Sequence, residues 1–221
     1  MLVIFDWDGT LSDSTGRIVE AMQGAAGKLG IEEPASAAVR DIIGLGLPEA
    51  VQILFPTLPD KAQVALGDAY SAHYRHLDRE PCDLFPGAMP MLEQLRGRGW
   101  QLAVATGKSR RGLDRVLGAL GLSDFFDATR CADETASKPD PMMLRQILAE
   151  LECVAEQAVM VGDSEYDLAM ARSGGMTSIG VSFGVHSSER LRQHCPAHIV
   201  DTLPELLDLP LQGINPPMPE H

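Results

Sequence analysis

Leu2-Val3-Ile4-Phe5-Asp6-Trp7-Asp8-Gly9-Thr10-Leu11 opens the chain with four apolar residues that run straight into two carboxylates, a glycine and a hydroxyl. A short apolar run without polar interruption reads as a strand buried on both faces, of the kind found in parallel sheets covered by helices. Open α/β sheets place ligand groups at the carboxyl ends of their strands, which sets Asp6 and Asp8 at the lip of a crevice. Two ionised carboxylates ~4 Å apart repel by roughly 1 kcal/mol in water and about 4 kcal/mol at an effective dielectric of 20. A proton, a cation or a hydrogen-bond donor must hold such a pair together, so the stretch predicts chemistry. The competing reading is a solvated strand-to-turn junction, where Asp and Gly are common.

From Leu84 onward apolar strands alternate with helical patterns. Pro86-Gly87 opens a helix through Met91, Leu92 and Leu95; Leu102-Ala103-Val104-Ala105 is a strand running into Thr106-Gly107. Ser109 caps a helix carrying Leu113, Val116, Leu117 and Leu120, stopped by Gly121. A short strand is expected within 125–131. Asp140-Pro141 pairs an N-cap with a proline at the first helical position. Ala158-Val159-Met160-Val161 is a strand ending at Gly162-Asp163, followed by a helix to Gly174-Gly175. Ser178-Ile179-Gly180-Val181 and Ile199-Val200 complete the strands, and a helix is expected from Pro204 to Leu209. Strands that alternate with helices predict right-handed crossovers and an α/β fold with a doubly wound parallel sheet.

Between the first strand and Leu84 the pattern is helical throughout. Ile18, Met22, Ala25, Ala26 and Leu29 recur at helical spacing before Gly30, and shorter helices fit Val39, Ile42 and Ile43, then Ala50, Val51, Ile53 and Leu54. Val64, Leu66, Ala69 and Tyr70 mark a fourth. The expected division is a core of residues 1–13 and 84–210, a helical cap of 14–83 over the first strand's carboxyl end, and a loose tail of 211–221 with several prolines.

Composition bounds the function. A formal charge of −13 over 221 residues disfavours nucleic acid or an anionic membrane as partner, and no apolar run approaches the ~20 residues needed to span a bilayer. Cys82, Cys131, Cys153 and Cys195 are scattered without metal-ligand spacing. Reduced thiols and a soluble, cytoplasmic protein are expected, as monomer or homodimer.

Three strands end in polar motifs, Asp6-Trp7-Asp8, Thr106-Gly107-Lys108 and Gly162-Asp163-Ser164, and Ser137-Lys138-Pro139 precedes a helix. A doubly wound sheet brings such ends to one edge. Carboxylates at 6, 8, 163 and 167 without nearby His or Cys make a hard oxygen site suited to Mg²⁺. Lysine, hydroxyl and glycine N–H groups (Lys138, Thr106, Thr10, Gly9, Gly107) suit phosphate oxygens, and a free carboxylate can attack phosphorus to give an aspartyl-phosphate. Lys108, Arg110 and Arg111 either line the mouth or are solvated. Arg17 either reaches an anionic group of the substrate or lies on the surface.

These residues carry a resemblance. Asp6-Trp7-Asp8-Gly9-Thr10-Leu11 resembles motif I of the haloacid dehalogenase superfamily, Thr106 motif II, Lys138-Pro139 motif III, and Gly162-Asp163-Ser164-Glu165-Tyr166-Asp167 motif IV, all in the family's order. The helical block falls between motifs I and II, as in members with an inserted helical cap, and the likeness is to the phosphoglycolate-phosphatase branch. The resemblance implies a Rossmann-like core and a Mg²⁺-dependent phosphatase of small phosphorylated metabolites. Asp6 would be the nucleophile, and Asp8 the acid for the leaving alcohol and then the base for water. Thr106 and Lys138 would hold the phosphoryl group. Mg²⁺ would be held by Asp6, Asp163 and the Asp8 carbonyl, with Asp167 supporting the metal or Lys138. Asp8 favours phosphoryl transfer over cleavage of carbon–halogen bonds.

Two other functions compete. A sugar-phosphate mutase of the β-phosphoglucomutase type shares nucleophile and cap, but it commonly has an arginine-bearing cap loop where this chain has Gly44-Leu45-Gly46-Leu47-Pro48-Glu49. A non-catalytic phosphate-binding module would be expected to have lost a motif residue, and none is missing.

Overall fold

The computed structural model describes residues 1–77 and 82–211. Its sheet grows outward from the opening stretch. Strand β1 (Leu2–Phe5) pairs in parallel with β2 (Gln101–Thr106) on one side and β4 (Ala158–Gly162) on the other. Strand β3 (Ala128–Cys131) flanks β2, while β5 (Thr177–Val181) and β6 (His198–Val200) extend the β4 side. The order β3-β2-β1-β4-β5-β6 reverses direction between β1 and β4, and the crevice outside that reversal is where such sheets bind ligands.

The alternation along β1 explains the uninterrupted apolar run. Val3 and Phe5 face one layer, with Met91, Leu92 and Leu95 of α5 (Ala88–Gly97) and Leu113 and Leu117 of α6 (Arg110–Ala119). Leu2 and Ile4 face the other, against Met143, Leu144 and Ile147 of α7 (Met142–Glu150) and Met170 and Ala171 of α8 (Glu165–Ser173). With helices on both faces, each position of the strand is fully buried.

Among the described residues four helices lie between β1 and α5: α1 (Thr15–Lys28), α2 (Ser36–Asp41), α3 (Leu47–Leu54) and α4 (Asp60–Leu77). They bury their own apolar cluster, in which Ile18, Met22 and Ala25 of α1 meet Leu66 and Tyr74 of α4. The chain leaves and re-enters the sheet layer side by side: Ser12 and Leu84 form an antiparallel bridge, and Asp13 N donates to the Asp83 carbonyl at 3.0 Å.

Several expectations shift in detail. Ile42 and Ile43 lie in the turn after α2, whose last residue is Asp41. Helix α7 begins at Met142 with Pro141 as its cap residue, although the Asp140 carboxylate still accepts from Met142 N at 2.9 Å. The expected helix over 204–209 is a 3₁₀ helix, Leu203–Leu207, whose Leu203 and Leu206 pack against the sheet layer. Leu211, assigned to the loose tail, is 2% exposed and belongs to the core, because its apolar side chain joins the buried cluster on one face of the sheet. The rest of that tail, 212–221, lies outside the described residues. Helix α9 (Ser188–Arg192) was not expected, because it is barely more than one turn. Among the described residues no helix is long and apolar enough to cross a membrane.

Candidate active site

The loops after β1, β2 and β4 and the loop before α7 bring Asp6, Asp8, Thr106, Lys138, Asp163 and Asp167 to one edge of the sheet, all of them buried. Backbone pairing fixes the first: Asp6 N donates to the Val161 carbonyl at 2.9 Å, continuing the β1–β4 ladder one residue past the strand. Lys138 Nζ lies 2.6 Å from Asp6 Oδ1 and 2.6 Å from Asp167 Oδ1, with its side chain wholly buried. Asp6 Oδ2 is buried and has no hydrogen-bond partner.

Asp167 fills two roles. It is the first-turn acid of α8, closing a capping box in which Ser164 N donates to Asp167 Oδ2 at 3.1 Å, and its other oxygen reaches Lys138. Asp163 is held by the Thr10 hydroxyl on Oδ1 at 2.9 Å and by Val185 N on Oδ2 at 2.8 Å. Gly9 (φ +85°) and Gly184 press against this carboxylate so closely that a Cβ on either would come within 2.2 Å or 2.1 Å of Asp163 atoms. Thr10 and Gly9 therefore contact Asp163 directly.

Asp6, Asp163 and Asp167 offer carboxylate oxygens within 4.8 Å of one another. Three carboxylates face one Lys138 ammonium, so ionising all three would leave two negative charges uncompensated. Burial drives the Asp6 pKa well above its usual value, against the pull of Lys138, and raises Asp163 to about 7, with Asp167 adding to the rise. Burial acts to lower the Lys138 pKa, but Asp167 and Asp6 outweigh it and keep the ammonium charged. An all-oxygen donor set, and the positive charge needed to keep all three carboxylates ionised, fit a hard divalent cation.

Asp8 sits above this cluster. Its Oδ1 accepts from the Ser14 hydroxyl and lies 2.8 Å from Lys108 Nζ. The Lys108 ammonium also rests 4.8 Å from the centroid of the Tyr74 ring on α4 and 3.3 Å from its hydroxyl. Thr106 accepts from Lys108 N at 3.2 Å, which shapes the turn after β2. Gly107 lies under the carbonyls of Leu45 and Gly44, where a Cβ would meet the first at 2.4 Å.

The helical layer is thus closed on the sheet edge. Gly46 N donates to Ser137 Oγ at 2.8 Å, beside Lys138, and Tyr166 of α8 donates its hydroxyl to the Asp41 carbonyl at 3.0 Å. Arg190 of α9 pairs with Asp41 and, through two nitrogens, with Glu165. Between the layers is a cavity of about 610 Å³ that includes Asp8, Gly107, Lys108 and Arg111 among its lining residues.

The structure separates the flanking cations. Lys108 and Arg111 line the cavity, but Arg110 turns away to Glu134, Asp114 and Thr129, where it braces the loop after β3. Arg17, half-buried on α1, is absent from the lining, because its neighbour Ile18 occupies the inward face of that helix. Ser14, Gly184, Val185 and Tyr74 were missed. Only Gly184 left a trace in the sequence, as a glycine shortly after the end of β5.

Residues 3–181 match the haloacid dehalogenase-like hydrolase family. The chain is 39% identical to "Probable phosphatase IndB" of Dickeya dadantii over 93% of its own length and 91% of that protein. It is 29% identical to a phosphoglycolate phosphatase of Vibrio cholerae, over 95% and 96% of the two chains. Its fold matches the crystal structure of a hydrolase from Pseudomonas syringae with a TM-score of 0.86, at 24% identity, covering 94% of this chain and 96% of that one. Together with the motif order and the site they form, these matches place the chain: it belongs to the haloacid dehalogenase-like hydrolase family, and it is an enzyme of the phosphatase type.

Proposed function

We propose that this enzyme hydrolyses small phosphate monoesters with the help of Mg²⁺, through an aspartyl-phosphate on Asp6. The observation that carries the proposal is the asymmetry of Asp6. One oxygen is fixed by Lys138 at 2.6 Å, while the other is buried with no protein partner. A desolvated, oriented carboxylate oxygen without a hydrogen bond is a competent nucleophile.

In the first half-reaction Asp6 Oδ2 attacks phosphorus, the P–O bond to the alcohol breaks, and a protonated Asp8 gives its proton to the leaving oxygen. In the second, the Asp8 carboxylate takes a proton from water as that water attacks the phosphoryl group, and the Asp6 carboxylate leaves. Lys138, the Thr106 hydroxyl and the backbone N–H groups after Thr106 surround the transferring group and offset its charge. Asp6, Asp163 and Asp167, with the Asp8 carbonyl, would hold Mg²⁺, which when bound supplies positive charge to the phosphoryl oxygens. The Lys108 ammonium pairs with Asp8 until a phosphate oxygen replaces the carboxylate as its partner, which frees Asp8 to carry a proton. The closed helical layer excludes bulk water during the acyl-phosphate stage.

Mg²⁺-dependent phosphate release from a panel of phosphomonoesters tests the reading, with phosphoglycolate included because a relative bears that name. Loss of release in Asp6→Asn is expected. Absence of turnover across the panel with Mg²⁺ present contradicts it.

A further inference from the structure

The cavity between the helical layer and the sheet edge is large for a two-carbon ester. At about 610 Å³ it falls within the range that encloses drug-sized ligands. At one end its lining is Asp8, Gly107 and Lys108, from the loops that follow β1 and β2. Its walls are mainly apolar: Ile18 and Met22 from α1, Ile43 and Leu45 from the turn after α2, and Leu47 and Ala50 from α3. Tyr70 and Tyr74 of α4 close one side, with ring centroids 5.9 Å apart. Arg75, Lys108, Arg111 and Arg115 face Asp8, Asp68 and Asp133, four cations against three anions in a chain whose formal charge is −13.

A short, doubly anionic ester such as phosphoglycolate would fill that end and leave the apolar walls without contacts. Unfilled apolar lining forfeits dispersion and desolvation energy that a larger group would gain. Tyr74 carries Lys108 over its ring, and offset or edge contacts with the neighbouring Tyr70 favour a planar partner over a flexible polyol.

Building on the phosphatase reading above, we infer that the enzyme's preferred substrate is a phosphate monoester whose alcohol part carries an aromatic or heteroaromatic ring. The phosphate lies at Asp6, where one of its oxygens reaches Lys108, and the ring lies between the α1–α3 wall and Tyr70. Ala50 is among the residues of that wall.

The test measures kcat/KM with Mg²⁺ for phosphoglycolate, ribose 5-phosphate, pyridoxal 5′-phosphate and uridine 5′-monophosphate, with acetyl phosphate as a reference that needs no alcohol pocket. The better ring-bearing ester is expected to exceed phosphoglycolate and ribose 5-phosphate by roughly tenfold or more, chiefly through KM. Ala50→Phe is expected to reduce that ratio by a similar factor. Because a larger side chain there can impair folding, inhibition of wild-type acetyl phosphate hydrolysis by pyridoxine and uridine provides a second measurement, and inhibition by at least one of them is expected. Phosphoglycolate or ribose 5-phosphate equal to or better than both ring-bearing esters overturns the inference, as does the lack of inhibition by either free alcohol. Failure to hydrolyse any ester, acetyl phosphate included, would instead overturn the phosphatase reading on which it rests.

Discussion

Lys108 Nζ and Asp8 Oδ1 lie 2.8 Å apart at one end of the cavity, with both side chains almost completely buried. Burial acts to lower the Lys108 pKa, and Asp8 and the two tyrosines outweigh it, so the ammonium stays charged. This cation belongs to the sheet layer yet stacks on Tyr74 of the helical layer, so it couples the proposed proton-transfer group to closure. Lys108→Met is expected to lower kcat/KM by about 10- to 100-fold, the worth of one hydrogen bond to a charged group. Lys108→Arg restores part of the loss, because charge returns but the compact ammonium does not. Steady-state kinetics on any accepted ester decide it. Unchanged kinetics in Lys108→Met would leave the pair without a role.

Lys138 has no solvent to fall back on. Its removal leaves Asp6 and Asp167 buried side by side without a cation, and Lys138→Met is expected to cost about 3–5 kcal/mol in metal-free protein. Urea denaturation measures the loss. Added Mg²⁺ is expected to recover part of it, because the metal supplies positive charge to the same carboxylates.

The pH dependence follows from the raised carboxyl pKa values. Asp163 is pushed by burial, and then by Asp167, from an ordinary value of 3.8 to about 7, and Asp6 moves in the same direction. In metal-free protein these groups therefore keep protons that the unfolded chain has already lost. Their contribution to stability is complete below about pH 4 and is lost as pH rises through about 7. Mg²⁺ competes with those protons, so its stabilising effect grows over the same interval. Melting temperatures with Mg²⁺ and with chelator, compared from roughly pH 5 to 8, are expected to diverge as pH increases. A constant or narrowing gap would contradict the assignment of these carboxylates to the metal.

Gly9 combines two constraints that can be separated. Its φ of +85° disfavours any side chain, and a Cβ would meet Asp163 Oδ2 at 2.2 Å. Gly99 has φ +77° with nothing within 4 Å of a Cβ. Gly9→Ala and Gly99→Ala are each expected to lose about 1–3 kcal/mol of stability from the backbone alone. Only Gly9→Ala is expected to weaken Mg²⁺ binding as well, which metal titration of the two folded variants distinguishes.

The legible parts of this protein were those encoded locally. Leu2 to Asp8 carries its strand, its burial and its carboxylates within seven residues, and Asp163 and Asp167 lie four residues apart across the start of α8, so one reading reaches both. The sheet edge then follows from topology, since parallel strands must end together. Contacts made by backbone or across the cap left no such pattern. Val185 N reaches Asp163 across 22 positions without a side chain. Lys108 and Arg110 look alike in sequence, two residues apart at the same helix start, yet one turns to Asp8 and Tyr74 and the other to Glu134. Arg17 and Ile18 differ by one step of helical phase, enough to put the apolar residue on the cavity. Periodicity marked the helices between β1 and α5 but not which of their residues face inward.

The central claim is that Asp6 itself carries the phosphoryl group. Acid quenching during turnover of an accepted ester, followed by peptide mapping, locates any covalent phosphate directly. The account predicts one phosphoryl group on the peptide bearing Asp6, absent in Asp6→Asn and accumulating in Asp8→Asn with an activated ester whose leaving group needs no proton. A phosphoryl group found on another residue, or turnover that persists in Asp6→Asn, would contradict it.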